Sequence, residues 1–502
     1  MKITPWFIIA FLLFPSCFLQ SQEYFQQKVD YTIDVTLDDQ NHVLRGFEEI
    51  RYTNRSQENL DKLYFHLYPN AYKNNQTVLA QEQFKNEGKH YLFNVFTQRG
   101  FIDSLDFKVN GEPADWDYTS PHIDVCKIKL DEQLKPGENI TITTPFRVKI
   151  PLAVTSRLGY VEQSYKISHW FPKPAVFNNK GWQKHPYRDM GKSYTEYGSF
   201  DVSITLPENY FVAAPGELLT KSEQRRIRQR EKKTRQKLGF NSEDMEIPES
   251  SKEEKTIRYK IDSALDFAWF ADKRFYVLTN RVNLAGSDKT VTTRTFFTND
   301  QASLWLEANN YLEKAVKTFV RWYGDYPYKN FTAVSGVPGS ESNDETYSAI
   351  TSTGFTERDK QLERLLVHGL AQNWFSGKVN FNPQQTPFLV EGLTKYSEIR
   401  YLTQKYGQEN KMYKEYNISE HIARILGVEA MNYKDEMDQF YYFNARQNMD
   451  QPTNTPISQL SRVNYFSVAK AKTAKAFLHL TGYLKPNQFD LAMKQFFRNW
   501  SF

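Results

Sequence analysis

Val367-His368-Gly369-Leu370-Ala371-Gln372-Asn373-Trp374-Phe375 closes a segment, starting near Glu357, in which Leu362, Leu365, Leu366, Leu370 and Trp374 recur three or four residues apart. That spacing predicts a helix with one buried face, ending at Gly377. A second helix is expected from about Phe388 to Tyr406, and Glu391-Gly392-Leu393 lies in its first turns. Upstream, from about Asn299, Leu304, Leu306, Ala308, Tyr311, Leu312, Ala315, Val316, Phe319 and Val320 predict one long amphipathic helix. Helical text then continues to the end of the chain.

The first half has a different period. Tyr31 to Leu37, Ile140 to Thr144 and Phe200 to Leu206 alternate apolar and polar residues, and Asn110-Gly111 and Pro136-Gly137 are turn signals between such runs. Residues from about Tyr24 to Phe211 therefore read as a β-sandwich or a saddle-shaped sheet assembly. Strand-like text returns at Thr256 to Tyr259 and at Arg274 to Leu278. The expected fold class is α+β, with residues 22–282 forming a β-domain and residues 283–502 a mainly helical domain. Between strands, residues 221–255 hold a charged insert. Ser222 to Lys237 is dense in Arg, Lys and Gln and reads as an exposed charged helix or a disordered, solvated insertion.

Composition excludes some function classes. The 502 residues are 40% hydrophobic, 25% charged and 15% aromatic, with a net charge of +5. A surplus that small, spread over this length, does not predict nucleic-acid binding. Lys2 followed by the apolar run Trp6 to Phe14 reads as an export signal cleaved after Ser21. The expected location is thus periplasmic, cell-surface or secreted. Phe14-Pro15-Ser16-Cys17 offers a second route, lipid attachment at Cys17. Cleavage after Ser21 leaves Cys126 as the one cysteine, so neither a disulfide nor a cysteine zinc site is expected. No other run is apolar and long enough to predict a membrane span.

His368 and Gln372 stand four residues apart, so a helix places both on one face. A helical H-E-x-x-H offers two imidazoles to zinc, with the Glu as general base, and a Glu from a later helix completes three protein ligands. Here His368 stands at the first ligand position, Gly369 at the general-base position and Gln372 at the second ligand position. Eighteen residues later, Glu391 falls at the third. A neutral amide is a poor zinc ligand, and glycine cannot supply acid–base assistance, worth about 10² to 10⁴ in rate. Zinc is expected to be absent or weakly bound.

Asn373-Trp374-Phe375 and Glu391-Gly392-Leu393-x-x-Tyr396-x-Glu398 resemble the gluzincin aminopeptidases of the aminopeptidase N family, secreted bacterial branch. Leu63 to Asn70, Trp170 to Val176, Phe200 to Pro207 and Asp266 to Trp269 are similar to further family segments, and the likeness runs in order over roughly residues 30 to 500. The resemblance implies a saddle-shaped β-domain on a thermolysin-like domain, one zinc, and removal of residues from the N-terminus of a peptide or protein. It implies that Glu398 orients a ligand histidine. It puts Glu345, Thr346 and Tyr347 on the substrate strand, with Thr346 at the amine-binding Glu position. It puts Lys470, two residues before Lys472-Thr473-Ala474, where the family has its oxyanion-stabilising Tyr, with Tyr465 nearby. Relatives continue into further helices beyond Asn499 to Phe502. Four losses in one pocket predict a catalytically inactive pseudopeptidase that binds peptides or acts as a scaffold. The alternatives are a zinc aminopeptidase with an altered, weak metal site, and a decayed gene product.

Overall fold

A computed structural model describes residues 24–501 apart from 88–94, 96–97, 154–156, 238, 285, 287, 337–344, 357, 408–410 and 416–417. The expected leader with Cys17, residues 339–344 of the expected substrate strand, and Glu357 lie outside the described residues.

The alternating runs form a nine-stranded sheet. Its central strands run in the order Glu254–Ala264, Gly198–Pro207, Lys28–Asp38, Val43–Thr53, Asn139–Lys149. Alternation here is literal: along Lys28–Asp38 one face is buried and the other is not, as period two requires. Lys28–Asp38 pairs in parallel with Gly198–Pro207, which sets Tyr31 opposite Phe200. Their rings stack with centroids 4.5 Å apart. Asn110 and Gly111 take φ of 51° and 91° at the turn joining two short edge strands, the positive-φ turn that an Asn-Gly pair favours. Two four-stranded sheets and a hairpin complete the N-terminal half.

The basic run forms helix α1 (Lys221–Gln236), and it is not a free-standing insertion. The Arg226 and Arg230 guanidiniums lie 4.1 and 5.1 Å from the Phe211 ring, and Arg230 also covers Tyr276. Arg230 Nε donates to the Phe275 carbonyl at 2.6 Å, while Ile227 is buried. Long arginine stems thus supply an inner face that a count of apolar residues does not register.

The C-terminal half is built on a five-stranded sheet in the order Tyr276–Asn283, Thr290–Phe297, Asn330–Val334, Ile350–Ser352, Glu345–Tyr347. Its first strand runs across the expected division at 282–283. Helices α2 (Ala308–Tyr323), α3 (Asp359–Phe375), α4 (Pro387–Tyr406), α5 (Tyr433–Arg446), α6 (Thr473–Leu484) and α7 (Pro486–Trp500) accompany it. The single long helix expected from Asn299 is instead a 3₁₀ turn, a short helix Ala302–Trp305, and then α2. Trp305, at the end of the short helix, is fully buried, and Leu306 in the break is 42% exposed. Among the described residues, no helix is long and apolar enough to cross a membrane.

Phe319 of α2 meets Trp374 of α3 and Tyr401 of α4, with ring centroids 5.7 and 6.1 Å away, so one buried ring couples three helices. Phe319→Ala should cost about 3–5 kcal/mol; urea denaturation followed by circular dichroism measures it.

Candidate active site

Helix α3 is fixed against the edge of the five-stranded sheet by Asn373. Its amide accepts the Ala349 N–H at 2.8 Å and donates to the Gly369 carbonyl at 3.1 Å. The approach at Gly369 is close. A β-carbon there would lie 2.4 Å from Thr351 Oγ1 and 2.9 Å from Thr346 Oγ1, and those two hydroxyls are hydrogen-bonded at 2.8 Å. The position expected for a general base thus has no room for any side chain while both threonines remain. Gly369 and Thr346, two separate departures in sequence, are one packing contact.

One turn further on, the Gln372 amide lies 3.2 Å from His368 Nε2, and Glu398 Oε2 lies 2.7 Å from His368 Nδ1. The geometry assigns Nδ1–H as donor to Glu398 and Nε2 as acceptor of the Gln372 N–H. The ring nitrogen at which a metal would sit is therefore already bonded. Glu398 is 1% exposed and also accepts from Lys395 Nζ at 3.0 Å and from the Tyr433 hydroxyl of α5. Burial alone would raise its carboxyl, but Lys395 and His368 outweigh that and hold it well below the usual carboxylate range.

Glu391 lies one face-repeat earlier on α4, with Lys470 Nζ 3.3 Å from its Oε2. Burial pushes this carboxyl up, while Lys470, Lys192 and His368 together bring it below its ordinary value. Lys470 belongs to a π-helical stretch, Tyr465–Lys472. Its i to i+5 pattern brings residues five apart onto one face. Tyr465 and Lys470 consequently both line the cleft, with the ammonium 5.0 Å from the tyrosine ring centroid. Sequence spacing set these two residues as alternatives; the widened turn delivers both.

On the edge strand, Glu345 and Tyr347 share a face, and the Tyr347 hydroxyl donates to Glu345 Oε2 at 2.6 Å. Thr346 points the other way, at Gly369. Lys166, 1% exposed, lies 3.5 Å from Glu345 Oε1. All the expected residues except Gly369 and Glu398 line one cavity of about 350 Å³ between the two halves of the chain. Sequence reading missed Lys192 and Arg157, which reach this cleft from the β-rich half, and Lys166, which meets Glu345 from behind its wall; none carries a motif. It also missed Lys395, although its place three residues before Glu398 on a helix was a usable sign. Lys192 Nζ donates to the Thr346 carbonyl at 2.9 Å, and its desolvation lowers its pKa to about 8. Among the described residues, no three His, Cys, Asp or Glu side chains converge as a metal-binding group.

No protein-family model and no curated protein matches the chain. Solved structures do. The M1 zinc metallopeptidase from Deinococcus radiodurans is similar over 95% of this chain and 86% of that one, at 14% identity and a TM-score of 0.57. A Glu-to-Ala mutant of it bound to a Tyr-Ser-Ala substrate is similar over 95% and 87%, at 14% identity and a TM-score of 0.56. A two-domain M1 zinc metallopeptidase mutant bound to L-arginine gives 95%, 87%, 14% and 0.57. The chain thus shares the fold of two-domain M1 metallopeptidases, an N-terminal β half followed by a helical half.

Gly369→Ala should destabilise the protein by about 1–3 kcal/mol through overpacking, despite a helix-propensity gain of about 1 kcal/mol. With Thr346→Ala and Thr351→Ala in place, the same substitution should cost less, the remaining penalty coming from the β-carbon of residue 351, 2.9 Å away. Paired denaturation curves measure the difference. Lys192 has a folded pKa below its unfolded value of about 10.4, so the unfolded chain binds more protons between pH 8 and that value. Stability contributed by this group should therefore rise over that interval as the burial cost is relieved. Lys192→Met should flatten that part of the stability–pH curve.

Proposed function

We propose that the chain is a homologue of the aminopeptidase N-type metallopeptidases that has given up hydrolysis and keeps the cleft as a peptide-binding site. One observation carries this reading: the chain's own ammonium, Lys470 Nζ, stands 3.3 Å from Glu391, the carboxylate at the third ligand position. A zinc ion and a lysine compete for the same negative charge. With the Gln372 amide on His368 Nε2, one imidazole and one carboxylate remain, each engaged, where catalytic zinc uses three protein ligands. This donor set does not fit the metal.

The alternative, a zinc aminopeptidase with an altered site, needs a third ligand from Gln372 or Glu398. Glu398 is bonded to the far ring nitrogen, Nδ1, and anchored there by Lys395 and Tyr433. Gln372 brings an amide N–H to Nε2. Nothing in the geometry favours that reading. The solved relative with Tyr-Ser-Ala in its site supports peptide as the ligand class. We also read the chain as exported, through the leader at 1–21.

Purified protein dialysed against excess zinc should retain well under one ion per chain by elemental analysis, and should not turn over aminoacyl-coumarin substrates. Stoichiometric zinc with turnover would overturn the proposal. Gln372→His with Lys470→Tyr restores a third ligand and removes the competing cation, so zinc binding should return. Turnover should stay absent, since position 369 still lacks a carboxylate.

A further inference from the structure

Four carboxylates and four cations line the cleft, but two of those carboxylates are paired by lysines set behind its wall. Each carboxylate on its wall already faces a cation of the chain: Glu391 has Lys470 at 3.3 Å, Glu345 has Lys166 at 3.5 Å, and Asp266 has Lys173 at 2.7 Å. Asp189 has Arg462 at 3.8 Å. Two cations are left over. Arg157 donates to the carbonyls of Gly191 and Asp189 at 3.0 and 2.9 Å and lies over the Tyr187 ring, while Lys192 donates to the Thr346 carbonyl. Among the described residues, neither is ion-paired with a carboxylate.

Backbone carbonyls orient a cation without neutralising it. A cleft with low-dielectric walls concentrates the resulting field on whatever enters. Guanidinium and ammonium groups both recognise carboxylates. An ammonium entering the same space would meet two positive charges, and the carboxylates there, although Glu345 Oε1 and Glu391 Oε2 accept no hydrogen bond, each already face a cation of the chain. The cavity, about 350 Å³, lies near the lower end of the range of about 300–1,000 Å³ for ligand pockets. It therefore suits the end of a chain better than a segment passing through.

We propose that the cleft recognises its ligand through a carboxylate, the C-terminus of a short peptide, held by Arg157 and Lys192. This rests on the non-hydrolytic reading above and adds the chemistry of the ligand to it. The polarity is the reverse of N-terminal recognition. Zinc loss and charge surplus then belong together: the site no longer attacks a bond next to an amine, and its remaining field draws the opposite end of the chain.

Isothermal titration of the full chain with four trialanine-based probes tests this. They are the N-acetylated peptide with a free carboxylate, the same peptide amidated, the amidated peptide with a free amine, and an acetylated, amidated peptide with a central aspartate. The free-carboxylate probe should bind at least about tenfold more tightly than its amide, a difference of about 1.4 kcal/mol. The amine-only probe should not bind. Preference for the aspartate probe would keep the carboxylate receptor and assign it to a side chain. Equal binding of acid and amide, tightest binding of the amine-only probe, or no binding by any probe would overturn the proposal. Lys192→Gln should weaken the acid by at least about tenfold, with its circular dichroism spectrum unchanged; undiminished affinity would also overturn it. Arg157 holds two backbone carbonyls, so Lys192 carries the test if Arg157→Gln does not fold. Cleavage of a probe, read by mass spectrometry of the same mixture, would count against the non-hydrolytic reading alone.

Discussion

Two buried carboxylates seven residues apart on α4, Glu391 and Glu398, require positive charge wherever it comes from. Ionised groups that are 4% and 1% exposed carry a desolvation cost of several kcal/mol each unless they are paired. In a zinc site the metal and its histidines meet that requirement. In this chain lysines meet it: Lys395, one helical turn before Glu398, and Lys470, brought across by the π-helical turn. The organisation of the C-terminal half around α4 follows from this. The π-helical turn has to come close enough for Lys470 to reach Glu391, and α5 has to place Tyr433 on Glu398. A lysine differs from a metal in one respect that matters for function. It has no vacant coordination position and cannot polarise a bound water.

Much of this was legible in the sequence because it is periodic. Strand alternation at Tyr31–Leu37, the Asn110-Gly111 turn and the three- and four-residue spacing before Phe375 all report a buried face directly. Helical repeat sets His368 with Gln372 on one face of α3 and Glu391 with Glu398 on one face of α4, and the family resemblance brought the two faces together. What was not legible depends on contact between distant segments. Gly369 reads as a lost general base, and nothing in its neighbours shows that Thr351 presses against it. Lys470 reads as a misplaced oxyanion residue until the π-turn rotates it beside Tyr465. The helix expected to run unbroken from Asn299 divides at Leu306 and Glu307, between a buried Trp305 and a buried Ala308. The basic run at 222–237 hides its packing face because arginine stems and guanidinium planes do the covering.

The cleft joins two kinds of information. Its floor, from α3, α4 and the edge strand, carries the remnant ligand positions and was reachable through motif spacing. Its roof carries Arg157 and Lys192, contributed by the β-rich half without any repeat to mark them. The floor says what chemistry has gone. The roof sets the sign of the field in the space that remains.

The π-helical stretch at Tyr465–Lys472 has a consequence for how this protein can change. Such a bulge contains, in effect, one residue more than an ordinary winding of the same segment would hold. Deleting a single codon there would let the helix rewind and would turn either the aromatic ring or the ammonium out of the cavity, with every substitution elsewhere left as it is. The electrostatic character of the pocket is thus governed by chain length at one place as much as by residue identity. Insertions and deletions in this segment are the events by which descendants of this sequence would part ways.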